Sequence, residues 1–573
     1  MSTAEGVANA GAGVGVSGVG VSVEDGLSIV RGIPLAEEAE IGALTLAGYI
    51  REVCGRWPAN EVAVLHLDGP QGERVIRWTY ADLWERTLAT AKSLVAGGIG
   101  KGTRVGVICS NRPEYLSSVS GVALAGGVPT PISTFFPLAE LDEVLRISGV
   151  SALLMERRLL KKDYAEMLAG LEPGIADAQP GAIVSERYPF LRQAAIVDGD
   201  EGLGAIEGWS AFAARGRDVP EAQVLARADQ VVPSDPGILL FSSGSTGKVK
   251  GIVSANRAAC LQLWRWPANG FFWSGNFGQC IGGALSRGGC LVLQRWFDAA
   301  EALELMEREK APTPIAWPHQ WAQLEAAPNY ATADLSSLTY VDRLTPLAKH
   351  PTVHSTWRQP DAAYGNTETF TLISVFPSGT PEEVQGKSHG VPTAGSIIKI
   401  VDPLSGATMP LGERGEIAVK GPTLMLGYLG VPLDQSVDEE GFLRTSDGGY
   451  IDERGRLFWE GRLNDIIKTG GANVAPLEID EVIRACPGVK VSQTVGVPDD
   501  LLGELVVACI VPHEGAVLSE DEIKAFAKEK LASYKVPRKV LFVAEEDLKT
   551  TGSAKIKTAD LRKLAADRLA ETA

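Results

Sequence analysis

The sequence predicts an α/β protein: a large N-terminal domain of layered β-sheets covered by helices, then a small C-terminal α+β domain. Three observations carry this expectation. The 573 residues are too many for one ordinary domain and suggest about three or four structural units. Helical stretches that end on glycine and lead into short apolar strands recur, over residues 45 to 150 and again after residue 230. Near residue 460 this alternation gives way to a tighter mixture of strands and helices.

Taken in order, residues 1–25 form a Gly/Val/Ala tract, expected to be a disordered tail. The tract spells Gly13-x-Gly15-x-x-Gly18, but no strand precedes it and no amphipathic helix follows, so a dinucleotide fold is not indicated. It lacks a basic n-region, so it does not read as a secretory signal, and the cytoplasm is the expected compartment. "YADLWERTLATAKSLVAGGI" has helical periodicity and stops at Gly97-Gly98; "TRVGVICS" is then a buried strand. "EYLSSVSGVALAGG" repeats the pattern and leads into "VPTPIS". Beyond "EGRLNDIIKTGG" the order is helix "PLEIDEVIRAC", strands "VSQTVGVP" and "LVVACIVP", helix "EDEIKAFAKEKLA" and strand "KVLFV". The expected domains are therefore 45–463 and 464–573, with the boundary at Leu463 to Asp465.

Composition excludes several classes. The formal charge of −17, from 71 acidic against 54 basic residues, argues against a nucleic-acid or anionic-membrane binder. No uninterrupted apolar run of about 18 residues indicates a membrane span. Seven scattered cysteines without a CxxC pair support neither a disulfide framework nor a zinc site. His350 and His354 have helical spacing, but a proline lies between them and no acidic partner is near, so no metal site is expected there.

The chemistry concentrates in "FSSGSTGKVKG", Phe241 to Gly251. By composition a slack linker is the simpler account. The apolar strand "GILLF" directly before it changes that, because a strand opening into small residues lets backbone N–H groups and hydroxyls converge on an anion. A Walker P-loop is excluded: two residues, not four, separate Gly244 from Gly247, and Val249 follows Lys248.

With its downstream stretches, this loop resembles the signature of the AMP-forming adenylating enzymes: acyl- and aryl-CoA synthetases, luciferases and nonribosomal adenylation domains. "YGNTE" (364–368), "GEIAVKGPTLMLGY" (415–428), "RTSDGGYIDERG" (444–455), "GRLNDIIKTGGANVAPLEIDEV" (461–482), "SYKVPRKVLFV" and "LKTTGSAKIK" follow in the family's order. Upstream, "WTYADL" and "GKGTRVGVICSNRPEYL" are similar to its N-terminal motifs, so the resemblance covers roughly residues 45 to 560.

The resemblance implies that Ser242, Ser243, Gly244, Ser245, Thr246, Gly247, Lys248 and Lys250 hold the ATP phosphates, with the Thr246 hydroxyl and Glu368 at Mg²⁺. Tyr364, with Gly365, Asn366 and Thr367, would pack on adenine; Asp447 would accept both ribose hydroxyls, with Arg462 beside it. Lys555 would meet the charge developing at the α-phosphate. The small domain would be mobile, pivoting at Asn464 to bring Gly470 and Gly471 to the thiol path. Against the family pattern, Val249 and Lys549 replace proline, Ser446 and Ala554 replace glycine, Asn256 replaces histidine, and "DRLTPLAKHPTVHSTWRQPDA" replaces a Gly-Gly-Ala loop. Trp264, Trp266, Phe271, Phe272 and Trp273 are read equally as core or as acyl-pocket lining.

The implied activity is an ATP-dependent acyl-CoA ligase: a carboxylic acid, apolar and fatty or aromatic, becomes acyl-AMP with release of pyrophosphate, and the acyl group passes to coenzyme A. An acyl-AMP ligase that loads a carrier protein, a non-catalytic acyl-nucleotide sensor and a luciferase-like oxygenase are the alternatives. No carrier domain is evident in the chain, which favours coenzyme A. The partners are small molecules, and the resemblance also allows a homodimer.

Overall fold

The computed structural model describes residues 21–24, 26–243, 249–265, 282–314, 316, 318–342, 345–357, 362–377, 379–463, 465, 467–469, 472–499, 502–531, 535–548 and 556–572. The chain divides into two compact units. The first takes in residues 32–396 and 420–440, and the second residues 21–31, 397–419 and 441–573. The last residues of the predicted tail, Ser22 and Val23, form a strand of the second unit; residues 1–20 lie outside the described residues.

The first unit is built as the Gly-punctuated pattern predicts. Helix α1 (Leu46–Arg56) is capped by Thr45, and α2 (Tyr80–Ala96) opens with a reciprocal box. In that box the Asp82 N–H donates to Thr79 Oγ1 and the Thr79 N–H to Asp82 Oδ2. Gly98, at φ +84°, turns the chain after α2. Helix α3 (Pro113–Leu124) carries proline at its start and is buried almost all round. Five parallel strands follow: β1 (Arg104–Ile108), β2 (Val128–Pro131), β3 (Ala152–Met155), β4 (Gln193–Ile196) and β5 (Ile206–Glu207). Their order in the sheet is β5-β4-β3-β1-β2. The chain reverses direction across the sheet between β1 and β3. Past the carboxyl ends of those strands, Arg112 donates to Glu114 (2.8 Å), Glu156 (3.1 Å) and Asp198 (2.9 Å); all but the part-buried Asp198 are buried.

A second, three-stranded sheet carries the loop. It consists of β6 (Pro236–Ser243), β7 (Val249–Ala255) and β8 (Gly427–Tyr428), in that order and antiparallel. The apolar run in β6 is explained by burial on both faces: Ile238 and Leu240 enter one core cluster, Leu239 and Phe241 the other. After β7 comes α4 (Asn256–Arg265). Asn256 is buried, and its side chain ties three elements. Its Oδ1 accepts the Leu46 N–H at the start of α1 (3.0 Å), and its Nδ2 donates to the Asp235 and Pro236 carbonyls.

The second unit contains two sheets. One has six strands in the order 22–23, 29–31, 397–401, 415–420, 443–451 and 457–462. The other has antiparallel strands 472–474, 467–469, 503–512 and 489–499, with 539–542 parallel to 503–512. Alternation along 503–512 sorts its side chains. Val506, Ala508 and Ile510 pack under helices 476–484 and 520–528, whereas Val507 and Cys509 pack under the last helix, 558–572. The α+β elements expected beyond residue 464 are all present.

Candidate active site

In the first unit, the β6/β7 hairpin pairs Ser242 with Lys250 and Ser243 with Val249, so the intervening loop springs from the end of an ordered ladder. Gly244, Ser245, Thr246, Gly247 and Lys248 lie outside the described residues. Gly251 has a packing reason: a Cβ there would sit 3.0 Å from Leu429 Cβ and 3.2 Å from Leu239 Cδ1. The chain crosses at this point, with the Leu429 N–H bonded to the Gly251 carbonyl (2.7 Å) and the Leu426 N–H to the Val253 carbonyl (2.7 Å).

The 364–371 stretch is a tight turn set against that hairpin. Tyr364 is buried, and its backbone pairs with Ser374. Only glycine fits at 365, because a Cβ would lie 1.7 Å from the Thr371 carbonyl oxygen. Asn366 closes the turn: its Oδ1 accepts the Thr369 N–H (3.0 Å), and its N–H reaches Thr369 Oγ1 (3.0 Å). Phe370 (φ +52°) and Thr371 (φ +100°) are then forced into the left-handed region, which costs roughly 1–3 kcal/mol each. The fully buried Phe370 ring and the Gln262 side chain, whose Nε2 donates to the Leu372 carbonyl at 2.8 Å, hold them there. The turn presents Glu368, half-buried, with its carbonyl accepting the Met425 N–H (2.7 Å) and Oε1 accepting the Tyr428 hydroxyl (2.9 Å). Lys250 Nζ lies 5.4 Å from the centre of the Tyr428 ring. Glu368, Tyr428 and Lys250 are thus brought together. Tyr428 was not singled out in the sequence; its only signal is the end of the "GPTLMLGY" stretch.

In the second unit, Asp447 and Arg462 face each other across paired strands, with Arg462 Nε 3.0 Å from Asp447 Oδ1. Asp447 is buried. Arg462 Nη1 also donates to the Thr445 carbonyl (3.0 Å), and the Asp447 N–H reaches Thr445 Oγ1 (3.2 Å). Ser446, where the family resemblance leads one to expect glycine, has φ +59°, a left-handed backbone that glycine adopts at less cost. Glu416, buried, clamps this bulge: Oε1 accepts the Ser446 N–H (2.9 Å) and Oε2 the Arg444 guanidinium (Nε at 2.7 Å). Arg444 opens the same stretch as Asp447, but Glu416 lies 30 positions from Ser446, and no local signal in the sequence ties it to Asp447.

Other expectations sort themselves. Trp264 is core: it is buried, its indole N–H donates to the Ala43 carbonyl (3.0 Å), and it meets Tyr49 edge-on at 4.9 Å. Trp266, Phe271, Phe272 and Trp273 lie outside the described residues, as do Asn464, Gly470, Gly471 and Lys555. A cavity walled by Leu46, Tyr49, Tyr115 and Leu263 holds only about 20 Å³, room for about one water rather than an acyl chain. His350 is held by the Tyr330 carbonyl (2.7 Å) and Thr352 Oγ1 (2.9 Å). Among the described residues no helix is long and apolar enough to cross a membrane.

A family model described as AMP-binding enzyme matches residues 50–429. The chain belongs to this family. A second model, AMP-binding enzyme C-terminal domain, matches residues 478–555. Within the AMP-binding family the chain's relatives are acyl-CoA synthetases and CoA ligases, and it is an enzyme of that group. It is 28% identical over 529 residues to the mitochondrial medium-chain acyl-CoA ligase ACSF2 of Danio rerio, covering 87% of this chain and 84% of that one. It is 29% identical over 509 residues to feruloyl-CoA synthase of an Amycolatopsis species, covering 85% and 93%. Among solved structures, the anthranilate CoA ligase AuaEII in complex with anthranoyl-AMP superposes with a TM-score of 0.73 at 23% identity, over 93% of this chain and 99% of that one. At that identity the likeness is one of fold: α/β, with a large N-terminal and a small C-terminal domain.

Proposed function

We propose that the protein is an ATP-dependent ligase that activates an apolar carboxylic acid, fatty or aromatic, and transfers it to coenzyme A. The observation that carries this is the junction at Tyr428, where one side chain meets both the Glu368 carboxylate and Lys250 at the end of the phosphate-loop hairpin. Glu368 suits a hard divalent cation, because Oε1 is taken by Tyr428 while Oε2 has no protein partner among the described residues. Magnesium held by Glu368 and Thr246 would neutralise charge on the β- and γ-phosphates.

The loop from Ser242 to Lys250 grips those phosphates through N–H groups, hydroxyls and the two lysines. Tyr364, with Gly365, Asn366 and Thr367, walls the adenine, and Asp447, oriented by Arg462, accepts the ribose hydroxyls. As the acid's carboxylate oxygen attacks the α-phosphorus, the bond to pyrophosphate breaks and Lys555 meets the charge on the leaving oxygens. In the second half-reaction the thiolate sulfur of coenzyme A attacks the acyl carbon, and the C–O bond to AMP breaks. The boundary at 463–465, with Asn464 as pivot and Gly470 and Gly471 lining the thiol path, separates the two steps; Asn464→Pro should slow thioester formation selectively. The relatives' names, which include a medium-chain and a feruloyl acid, support coenzyme A as acceptor and an apolar acid.

The test is pyrophosphate release and thioester formation across a panel of fatty and aryl acids, with and without coenzyme A. Turnover to acyl-CoA with at least one acid is expected. Pyrophosphate release indifferent to coenzyme A would point to carrier-protein loading instead, and tight ATP binding with no turnover of any acid would overturn the ligase. Lys555→Ala should cripple adenylation far more than thioester formation from supplied acyl-AMP.

A further inference from the structure

The segment 425–428 bridges the β6/β7 hairpin and the turn that carries Glu368, both in the first unit. Its backbone is stitched to the β6/β7 hairpin, with Gly427 and Tyr428 paired to Val253 and Ile252, and the Leu426 N–H bonded to the Val253 carbonyl. At its other end, the Met425 N–H holds the Glu368 carbonyl at 2.7 Å. Tyr428 completes the bridge with its side chain. Its hydroxyl donates to one Glu368 oxygen at 2.9 Å, and its ring lies 5.4 Å from Lys250 Nζ. A carboxylate pinned through one oxygen can present only the other in a defined direction. An exposed lysine that rests over an aromatic face likewise samples fewer rotamers than a free one.

We propose that Tyr428 is a positioning residue that orients Glu368 toward the divalent cation and Lys250 toward the triphosphate, so that cation and nucleotide binding reinforce each other. This rests on the ATP-dependent ligase assigned above. The physical basis is that a hydrogen bond to a ligating carboxylate fixes its orientation before the ion arrives. Losing such a partner typically weakens metal binding about 10- to 100-fold. The hydroxyl and the ring have separable duties: the hydroxyl acts on Glu368, the ring on Lys250.

The experiment uses the full chain, a non-hydrolysable ATP analogue and Mn²⁺ as an EPR-visible stand-in for magnesium. Tyr428→Phe keeps the ring and removes the hydroxyl. It should weaken Mn²⁺ binding in the presence of analogue about tenfold, while metal-free analogue affinity stays within about twofold. Tyr428→Leu removes both duties and should weaken analogue binding as well. In a Glu368→Gln background, Tyr428→Phe should add nothing further. That coupling separates positioning from general destabilisation, which would weaken either background alike. Unchanged Mn²⁺ binding in Tyr428→Phe, or additive losses with Glu368→Gln, would overturn the proposal while leaving the ligase standing. A wild-type chain that binds neither analogue nor Mn²⁺ would overturn both.

Discussion

Glu416→Gln probes the turn that holds Asp447. The native carboxylate takes the Ser446 N–H at 2.9 Å on one oxygen and two Arg444 donors on the other. An amide can keep only one of these acceptors, so its NH₂ must face either Ser446 N–H or the guanidinium. Arg444 is partly exposed and also bonds the Pro403 carbonyl, so water and that carbonyl recover part of its loss. The Ser446 N–H, held at a left-handed residue, has no such alternative, so the amide keeps its oxygen there and turns its NH₂ toward the guanidinium, which loosens the turn as a whole. Losing a charge-assisted bond in a buried site costs roughly 1.5–3 kcal/mol, and breaking the ion pair brings the total to about 3 kcal/mol. Hydrogen exchange measured by mass spectrometry on peptides spanning 444–463 reads this directly. Protection of the Ser446 amide and of the Leu463 amide, which bonds the Ser446 carbonyl at 2.8 Å, should fall by about a hundredfold, since about 1.4 kcal/mol is a factor of ten. ATP affinity should fall with it, because the same bulge aims Asp447. Exchange unchanged within threefold, at unchanged ATP affinity, would refute the clamp.

Three further outcomes are expected. Ser446→Gly relieves a side chain at φ +59° but loosens the unfolded chain, so the net gain should be small, roughly 0–1 kcal/mol, with ATP affinity retained; a loss above about 1 kcal/mol in urea midpoint would contradict it. Arg112→Met removes the cation shared by buried Glu114 and Glu156 and part-buried Asp198, leaving Glu156 only Arg295, and should cost roughly 3 kcal/mol, read as a lowered urea midpoint; an unchanged midpoint would mean the cluster is relaxed by water. Burial pushes the His389 imidazole from 6.5 down to about 4. The unfolded chain therefore takes up this proton near pH 6.5 while the folded one resists until about pH 4. Stability is lost as pH falls through that window, by about 2 kcal/mol between pH 8 and 5. His389→Gln should flatten this part of the urea-midpoint profile, and an identical slope in the variant would exclude it.

What the sequence determines by itself is what neighbours along the chain can express. The α2 helix is legible from its period and its Gly97-Gly98 stop, because glycine turns act within a few residues, and the structure adds the Thr79-Asp82 box at its start. The strand before the phosphate loop is legible because burial on both faces demands an unbroken apolar run, whereas the close chain approach at Gly251 and Gly365 shows only in the folded structure. The order of the motif stretches sufficed to identify the family. Only the tertiary structure decided which residues act together. Tyr428 reaches Glu368 across 60 positions, Ser446 leans on Glu416 across 30, and Asn256 anchors α1 across 210. Such pairs leave no period or spacing in the chain, since hydrogen bonds between side chains are fixed by where the sheets bring their strands and not by what precedes them. The same holds for Trp264, whose aromatic neighbours in sequence leave core and pocket wall equally open; burial and a bond to the Ala43 carbonyl make it core.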